Sequence, residues 1–443
     1  MTSNYSPMRL LRSLSSSAPR TRSVGHFAVS CSLLLLLLLL RVPSTESFSI
    51  SWGGGFARRL FGDSGYRGLF YPKYIDTGDY YAPVAEGSSH YNDVLDDFRV
   101  YWNVPTFQCH KYGYNFTEVA EWGIQQNADD DFRGDKINLL YDPGLFPALM
   151  QGGGSERSDY VVRNGGVPHE GNLTKHLDIF SRDVVTKLVP DPKFSGLAVI
   201  DFEHWRPMFE ENFGSLYAYQ EYSMEIEKYN HPDWGKKDLR KEASRKFEKA
   251  ATQFLKRTLH IAKSLRPYAY WGYYGYPFCF NYTPKNDQAK CSPNVIKNNE
   301  KSKWLFEEST AIYPSLYFKY ENMNSEKRAK FMQGRMTEAG RVAKMSDSRK
   351  FIYPYTWLKY YDTKQFVEKD DLMNSFLIPK KNDASGVIIW GASNDVNSER
   401  KCKAMHNYLT GVLGPTLKSF YKNNRKVVRK RKAKIDSIFD YFI

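Results

Sequence analysis

The chain has 443 residues, enough to bury a full hydrophobic core and to form one to three domains. Aromatic residues make up 16% of it, and its formal charge is +14. That charge sits at the ends, with five Arg against one Glu in residues 1–46 and nine Lys/Arg against two Asp in residues 418–443; the nearly balanced middle, without zinc-finger, phosphate-loop or helix-turn-helix spacing, argues against nucleic acid as a partner.

Arg9, Arg12, Arg20 and Arg22 precede an apolar run from Phe27 to Leu40 that is short for a membrane span. Pro43, Ser44 and Thr45 follow, so residues 1–46 read as a signal peptide cleaved near Ser47, with a signal anchor as the alternative. Secretion, an extracellular location and no stable membrane anchor are therefore expected. Residues 47–94, rich in Gly, Tyr and Ser, read as a propeptide-like or disordered arm. A single domain follows over 95–420, and residues 421–443 are a basic tail.

Within that domain, short β-rich runs alternate with helical stretches. The predicted strands are Arg99–Val104, Ile137–Tyr141, Leu197–Phe202, Tyr268–Tyr273, Tyr313–Phe318, Phe351–Tyr355 and Val387–Trp390. An amphipathic helix over Lys236–Leu265, stopped by Pro267, separates the third strand from the fourth. A second helix over Ser325–Met345 separates the fifth from the sixth. Alternation of this kind implies a parallel sheet, and seven units fit one closed α/β barrel better than an open doubly wound sheet.

The most informative segment is Gly196-Leu-Ala-Val-Ile-Asp-Phe-Glu-His-Trp205. An apolar run reads as a buried strand and ends in Asp201 and Glu203. Strand side chains alternate, so both carboxylates share a face and Phe202 takes the other. Two crowded acids resist joint ionisation, so one stays protonated near neutral pH, as glycosidic cleavage requires of its acid. The other strand ends bring Asn103, Tyr141 and Asp142, Tyr273 and Tyr274, Tyr317, Tyr355 and Trp357, and Trp390 and Ser393 to the same rim. Aromatic faces cover the apolar sides of pyranose rings, so two acids ringed by Tyr and Trp suit a sugar.

Of the five cysteines, Cys31 lies in the leader; Cys109, Cys279, Cys291 and Cys402 remain, enough for two disulfides in any of three pairings. No pair has zinc-ligand spacing, and neither metal nor cofactor is expected. Sequons at Asn115, Asn172 and Asn281 are candidate glycosylation sites, the last with Pro284 directly after it.

Several long motifs occur in one order: Phe98-Arg-Val-Tyr-Trp-Asn-Val-Pro-Thr-Phe107 with Cys109-His-Lys-Tyr-Gly113, Leu140-Tyr-Asp-Pro-Gly144, Val161-Val-Arg-Asn-Gly-Gly-Val167, Val199-Ile-Asp-Phe-Glu203 with Trp205-Arg-Pro207, Trp271-Gly-Tyr-Tyr-Gly-Tyr-Pro277, Pro314-Ser-Leu-Tyr317 and Ile388-Ile-Trp-Gly391. Together they resemble the hyaluronidases of glycoside hydrolase family 56, above all the arthropod enzymes of insect venoms, over residues 96–420. The resemblance implies a distorted (β/α) TIM-like barrel of about seven to eight parallel strands. It implies endo-hydrolysis of hyaluronan at β-1,4 bonds with retention, the sugar's own acetamido oxygen acting as nucleophile. By position it makes Glu203 the proton donor and Asp201 the residue that orients the acetamido group. Tyr274 and Tyr317 match the tyrosines that hold that group, and Trp390 the wall behind it. Tyr141, Asp142, Arg206, Arg335 and Ser393 match groove residues, the two arginines being candidates to pair with glucuronate carboxylates. The resemblance also pairs Cys109 with Cys402 and Cys279 with Cys291. Ala392 stands where close insect relatives have serine. A chondroitin-preferring hydrolase and a non-catalytic glycan-binding paralogue are the alternative readings, and the chain is expected to act as a monomer.

Overall fold

The computed structural model describes residues 98–151 and 160–423. The expected signal peptide, the 47–94 arm and most of the basic tail lie outside the described residues. In chain order the elements begin with β1 (Arg99–Asn103), β2 (Ile124–Gln125), β3 (Ile137–Tyr141) and a hairpin of β4 (Ala148–Gln151) and β5 (Tyr160–Arg163). Then come α1 (Leu173–Asp183), β6 (Leu197–Asp201), α2 (Tyr217–Asn230), α3 (Lys236–Leu265), β7 (Tyr270–Tyr273), α4 (Pro293–Lys301), α5 (Lys303–Glu308) and β8 (Ala311–Ile312). The last are α6 (Ser325–Ala343), β9 (Phe351–Ile352), β10 (Tyr355–Trp357), α7 (Lys369–Lys381), β11 (Gly386–Trp390), α8 (Glu399–Tyr408) and a helix α9 over 414–423.

The strands follow one another around a distorted barrel. β3, β6 and β7 pair in parallel, as do β10, β11, β1 and β2, and β8 pairs with β9. Parallel bridges from Tyr274 to Tyr313 and from Ser315 to Tyr355 link these groups. Between β1 and β3 side chains replace a ladder: Asn103 donates to the Phe132 carbonyl at 3.2 Å, and the Asn127 amide exchanges two 2.9 Å bonds with the backbone of Ile137.

Two expected strands are shorter than the sequence suggested, and proline is the reason. Tyr313–Phe318 holds only isolated bridges beyond β8, and Phe351–Tyr355 breaks into β9 and β10. Pro314 and Pro354 cannot donate to a ladder. The pairing resumes around them, with Tyr355 N–H donating to Pro314 O at 2.8 Å and Ile388 N–H to Pro354 O at 2.9 Å. Gly272 has its own constraint: a Cβ there would lie 2.1 Å from the Ala311 carbonyl, so only glycine lets these strands approach.

Alternate residues fill the interior. Tyr101, Ile137, Leu139, Leu197, Val199, Ala311, Tyr313, Tyr353, Tyr355 and Ile388 form one buried cluster inside the ring, a packed core rather than a pore. Their neighbours face the helices, where Ala198, Ile200 and Phe202 pack against Phe247, Phe254 and Leu255 of α3. α3 spans the expected residues because its buried positions recur every three or four along the helix. It ends where Arg266, preceding Pro267, leaves the helical region, φ −136° and ψ 76°. Burying Phe247 and Phe254, 0% and 2% exposed, contributes about 2 kcal/mol each.

The disulfides join Cys109 to Cys402 and Cys279 to Cys291, the pairing that the resemblance implies. The first ties the turn after β1 to α8 across 293 residues of sequence, restricting the unfolded chain by about 6 kcal/mol in a loop-entropy estimate. α9 carries the chain past residue 420, with the Tyr421 hydroxyl against the Gly123 carbonyl at 3.3 Å.

Candidate active site

Strand alternation builds the site. Leu197 and Val199 point into the barrel, so Asp201 is the next inward residue of β6 and caps the core at its carboxyl end. The register pairs Asp201 with Tyr141 of β3, likewise the inward residue after Ile137 and Leu139. The same count brings Tyr274, Tyr317, Trp357 and Trp390 to that level. Phe202, between the acids, turns into the helix layer and packs on Phe146 and Trp205 at ring distances of 4.1 and 4.7 Å.

Asp201 and Glu203 are hydrogen-bonded to each other, with Glu203 the more exposed. Burial, then the neighbouring Glu203 charge, pushes the Asp201 carboxyl up to about 8. Burial raises Glu203 as well, against the hydrogen bond from Asp201 and the charges of Arg206 and His204. The proton belongs to the pair, which keeps one into the mildly alkaline range. Oδ1 of Asp201 is buried and has no hydrogen-bond partner among the described residues.

An aromatic wall faces the pair. Phe132 stacks on Tyr141 at 6.0 Å, and the Tyr141 hydroxyl accepts from Trp390 Nε1 at 3.0 Å. Trp390 stacks on Tyr317 at 5.6 Å, and Tyr317 lies 6.2 Å from Tyr274. Tyr274 hydrogen-bonds Ser315 and Tyr317, and burial raises its phenol above the ordinary range, so it remains a hydroxyl. Behind the wall, Asp395 accepts from Trp357 Nε1 and from Lys359, both at 2.8 Å. Tyr273, read from sequence as a rim residue, points the other way and donates to the Leu255 carbonyl at 3.1 Å.

The remaining expected groove residues are engaged by protein groups. Asp142 accepts both Arg163 guanidinium nitrogens, at 2.5 and 2.9 Å, and His204 Nε2 at 3.1 Å. Burial opposes its ionisation, but those bonds outweigh it and hold its carboxyl below the usual range. Its N–H donates to the Asp201 carbonyl at 2.8 Å, and its backbone then turns into the left-handed region at φ +41°. Arg206 donates to the Glu211 carbonyl at 2.5 Å, its guanidinium 4.9–5.1 Å from the rings of Phe213, Phe278 and Phe280. Arg335 donates to the Ser315 carbonyl at 2.6 Å and to Asn281 Oδ1 at 3.2 Å, and lies 4.1 Å from the Phe331 ring. It is a brace of the strand end carrying Tyr317, and no carboxylate pairs with it among the described residues. Ser393 is exposed at the start of the 3-10 turn Ser393–Asp395.

Asn281 corrects a sequence expectation. It is 1% exposed, and its Nδ2 donates to the Ala289 and Phe331 carbonyls, both at 2.9 Å. The folded chain leaves no room for a glycan there. Asn115 and Asn172 are exposed.

The family profile described as Hyaluronidase, glycoside hydrolase family 56, matches residues 93–426. The chain belongs to the hyaluronidase family. It is 45% identical over 336 residues to a hyaluronidase of Apis mellifera, covering 75% of this chain and 87% of that one. A Dolichovespula maculata hyaluronidase is 43% identical over 319 residues, 72% and 95% of the two chains. The crystal structure of bee venom hyaluronidase in complex with a hyaluronic acid tetramer superposes with a TM-score of 0.70 at 45% identity, covering 72% of this chain and 98% of that one. Arg163, His204, Asp395 and Phe132 were not legible in the sequence as site residues. Arg163 and His204 stand within or beside the quoted motifs, but only the fold brings them to Asp142.

Proposed function

We propose that the chain is a secreted endo-β-N-acetylhexosaminidase that hydrolyses β-1,4 bonds of hyaluronan with retention of configuration. The observation that carries this reading is the hydrogen-bonded Asp201–Glu203 pair before an aromatic wall at the mouth of the barrel. Glu203, the outer acid, hands its proton to the glycosidic oxygen as the bond to C1 breaks. The acetamido oxygen of the same sugar forms the new bond to C1, giving a cyclic oxazolinium. Water then attacks C1, Glu203 takes its proton, and the bond from the acetamido oxygen opens. Asp201, left anionic, accepts the acetamido N–H through its unpartnered Oδ1 and balances the ring's positive charge. Tyr274 and Tyr317 hold the acetamido group, while Trp390 and Tyr141 wall the sugar.

Asp142 acts through the network that fixes the Asp201 backbone, and Arg335 through the strand end bearing Tyr317. Two disulfides support an oxidising compartment. Among the described residues no helix is long and apolar enough to cross a membrane. Proton NMR of the reducing ends first released from hyaluronan tests the mechanism. β-Anomers are expected first; α-anomers first, or uncut polymer, would refute it.

A further inference from the structure

A basic cavity lies outside the aromatic wall. A cavity of about 310 Å³ opens between the first turns of α3, the end of α4 and the turn Phe209–Glu211 that follows the catalytic strand. Four cations line it: Lys237, Arg240 and Lys241 from α3, and Lys301 from α4. On α3 they stand three and four residues apart, hence on one face.

Lys237, Lys241 and Lys301 are exposed, and none makes a side-chain hydrogen bond or ion pair among the described residues. Arg240 is pinned, its Nη1 donating to Gln220 Oε1 at 2.8 Å and its guanidinium 5.4 Å from the Phe209 ring. Two carboxylates also line the cavity. Glu248 is occupied by the Phe209 N–H at 3.0 Å and the Ser244 hydroxyl at 3.4 Å, and Glu210 is exposed. Four cations against two carboxylates, beside the positive end of a 30-residue helix, favour an anion.

We infer that this cavity is an exosite for an anionic glycan, holding a uronate-bearing segment of the substrate chain distant from the bond being cut. Separate lysine ammoniums suit carboxylates spaced along a flexible polymer, since each is a point charge on a mobile stem. The one aromatic ring in the lining, Phe209, is 1% exposed, so no base-stacking platform favours single-stranded nucleic acid. The exosite is fastened to the catalytic loop: Arg206 holds the Glu211 carbonyl, and Asn298 of α4 donates to the Glu211 carboxylate at 3.2 Å. A chain held at both places meets the acids at a raised effective concentration.

The choice of ligand rests on the hyaluronan reading above, so the experiment separates the two. Lys237→Gln, Lys241→Gln and Lys301→Gln are combined in the full chain. A control combines Lys187→Gln, Lys193→Gln and Lys256→Gln, which match the charge loss elsewhere. Calorimetry measures binding of long hyaluronan and of heparin, and kinetics compare long hyaluronan with a hexasaccharide. The exosite variant is expected to bind long hyaluronan about tenfold more weakly at low salt and to raise its KM to match. The hexasaccharide rate and the control stay unchanged. Equal hyaluronan affinity in exosite variant and wild type overturns the proposal, as does equal weakening in the control. A loss confined to heparin overturns the uronate assignment and points to a sulfated polymer. A wild type that cuts neither chain refutes the catalytic reading, while the binding comparison still decides the exosite.

Discussion

Replacing Arg335 separates bracing from substrate binding. Its guanidinium holds the Ser315 carbonyl and Asn281 Oδ1 and lies on the Phe331 ring. Arg335→Ala removes a charge-assisted hydrogen bond of about 2 kcal/mol and a cation–π contact of about 1 kcal/mol. It also strips a partner from buried Asn281. The expected loss is about 3 kcal/mol, or about 4 °C in Tm for a domain of this size. Ser315 precedes Tyr317 on the same strand end, so kcat falls through disorder of that tyrosine while KM changes by less than about twofold. Arg335→Lys, which keeps the charge without the fork, recovers only part of the stability. Urea unfolding and hyaluronan kinetics on the three proteins read the outcome. Unchanged stability with a tenfold rise in KM would refute the reasoning and make Arg335 a carboxylate ligand of the substrate.

The acid pair sets the alkaline limit of activity: kcat/KM falls as pH rises through about 8, where the pair gives up its last proton, and a flat profile to pH 10 would contradict this. Stability follows the same sign. The Asp201 and Glu211 carboxyls, pushed up to about 8 and about 7 chiefly by burial, stand above their unfolded values, so their contribution is present below the unfolded pKa and is lost as pH rises through the folded one. Burial pushes His169 and His176 down to about 4 and about 3, so above about pH 6.5 they are mostly neutral in both states and the carboxyls dominate. The urea midpoint should therefore drop between pH 6.5 and 8, and a rise would contradict the sign. In glycopeptide mapping of secreted protein, glycans should appear at Asn115 or Asn172 and never at Asn281; an occupied Asn281 would mean that its loop folds differently.

Elements with long or simple patterns were legible in the sequence. α3 carries a 30-residue apolar stripe and a proline stop, so its limits follow from spacing alone. β6 is a plain apolar run, and alternation from it correctly set Phe202 against the acids. The ladders around Pro314 and Pro354 were not legible, because a proline's lost bond is replaced by neighbours that only the closed barrel supplies. The β4–β5 hairpin escaped because Val161 and Val162 are exposed, 63% and 47%, and so give no buried alternation. At the site, strand-end counting gathers Asp201, Glu203, Tyr141, Tyr274, Tyr317 and Trp390. It says nothing of where long side chains go: Tyr273 turned to α3, Arg335 was spent on a carbonyl, and Asp142 was already bound by Arg163 and His204.

Turnover by Glu203→Gln tests the proton-donor assignment most directly. The amide keeps the size and hydrogen-bonding shape of the acid and has no proton to give. On hyaluronan, kcat should fall by about 10²–10⁴, while Tm and affinity for the polymer stay near wild type. A folded variant that kept more than about 5% of wild-type turnover would contradict the assignment, since loss of a true proton donor leaves about 1% or less.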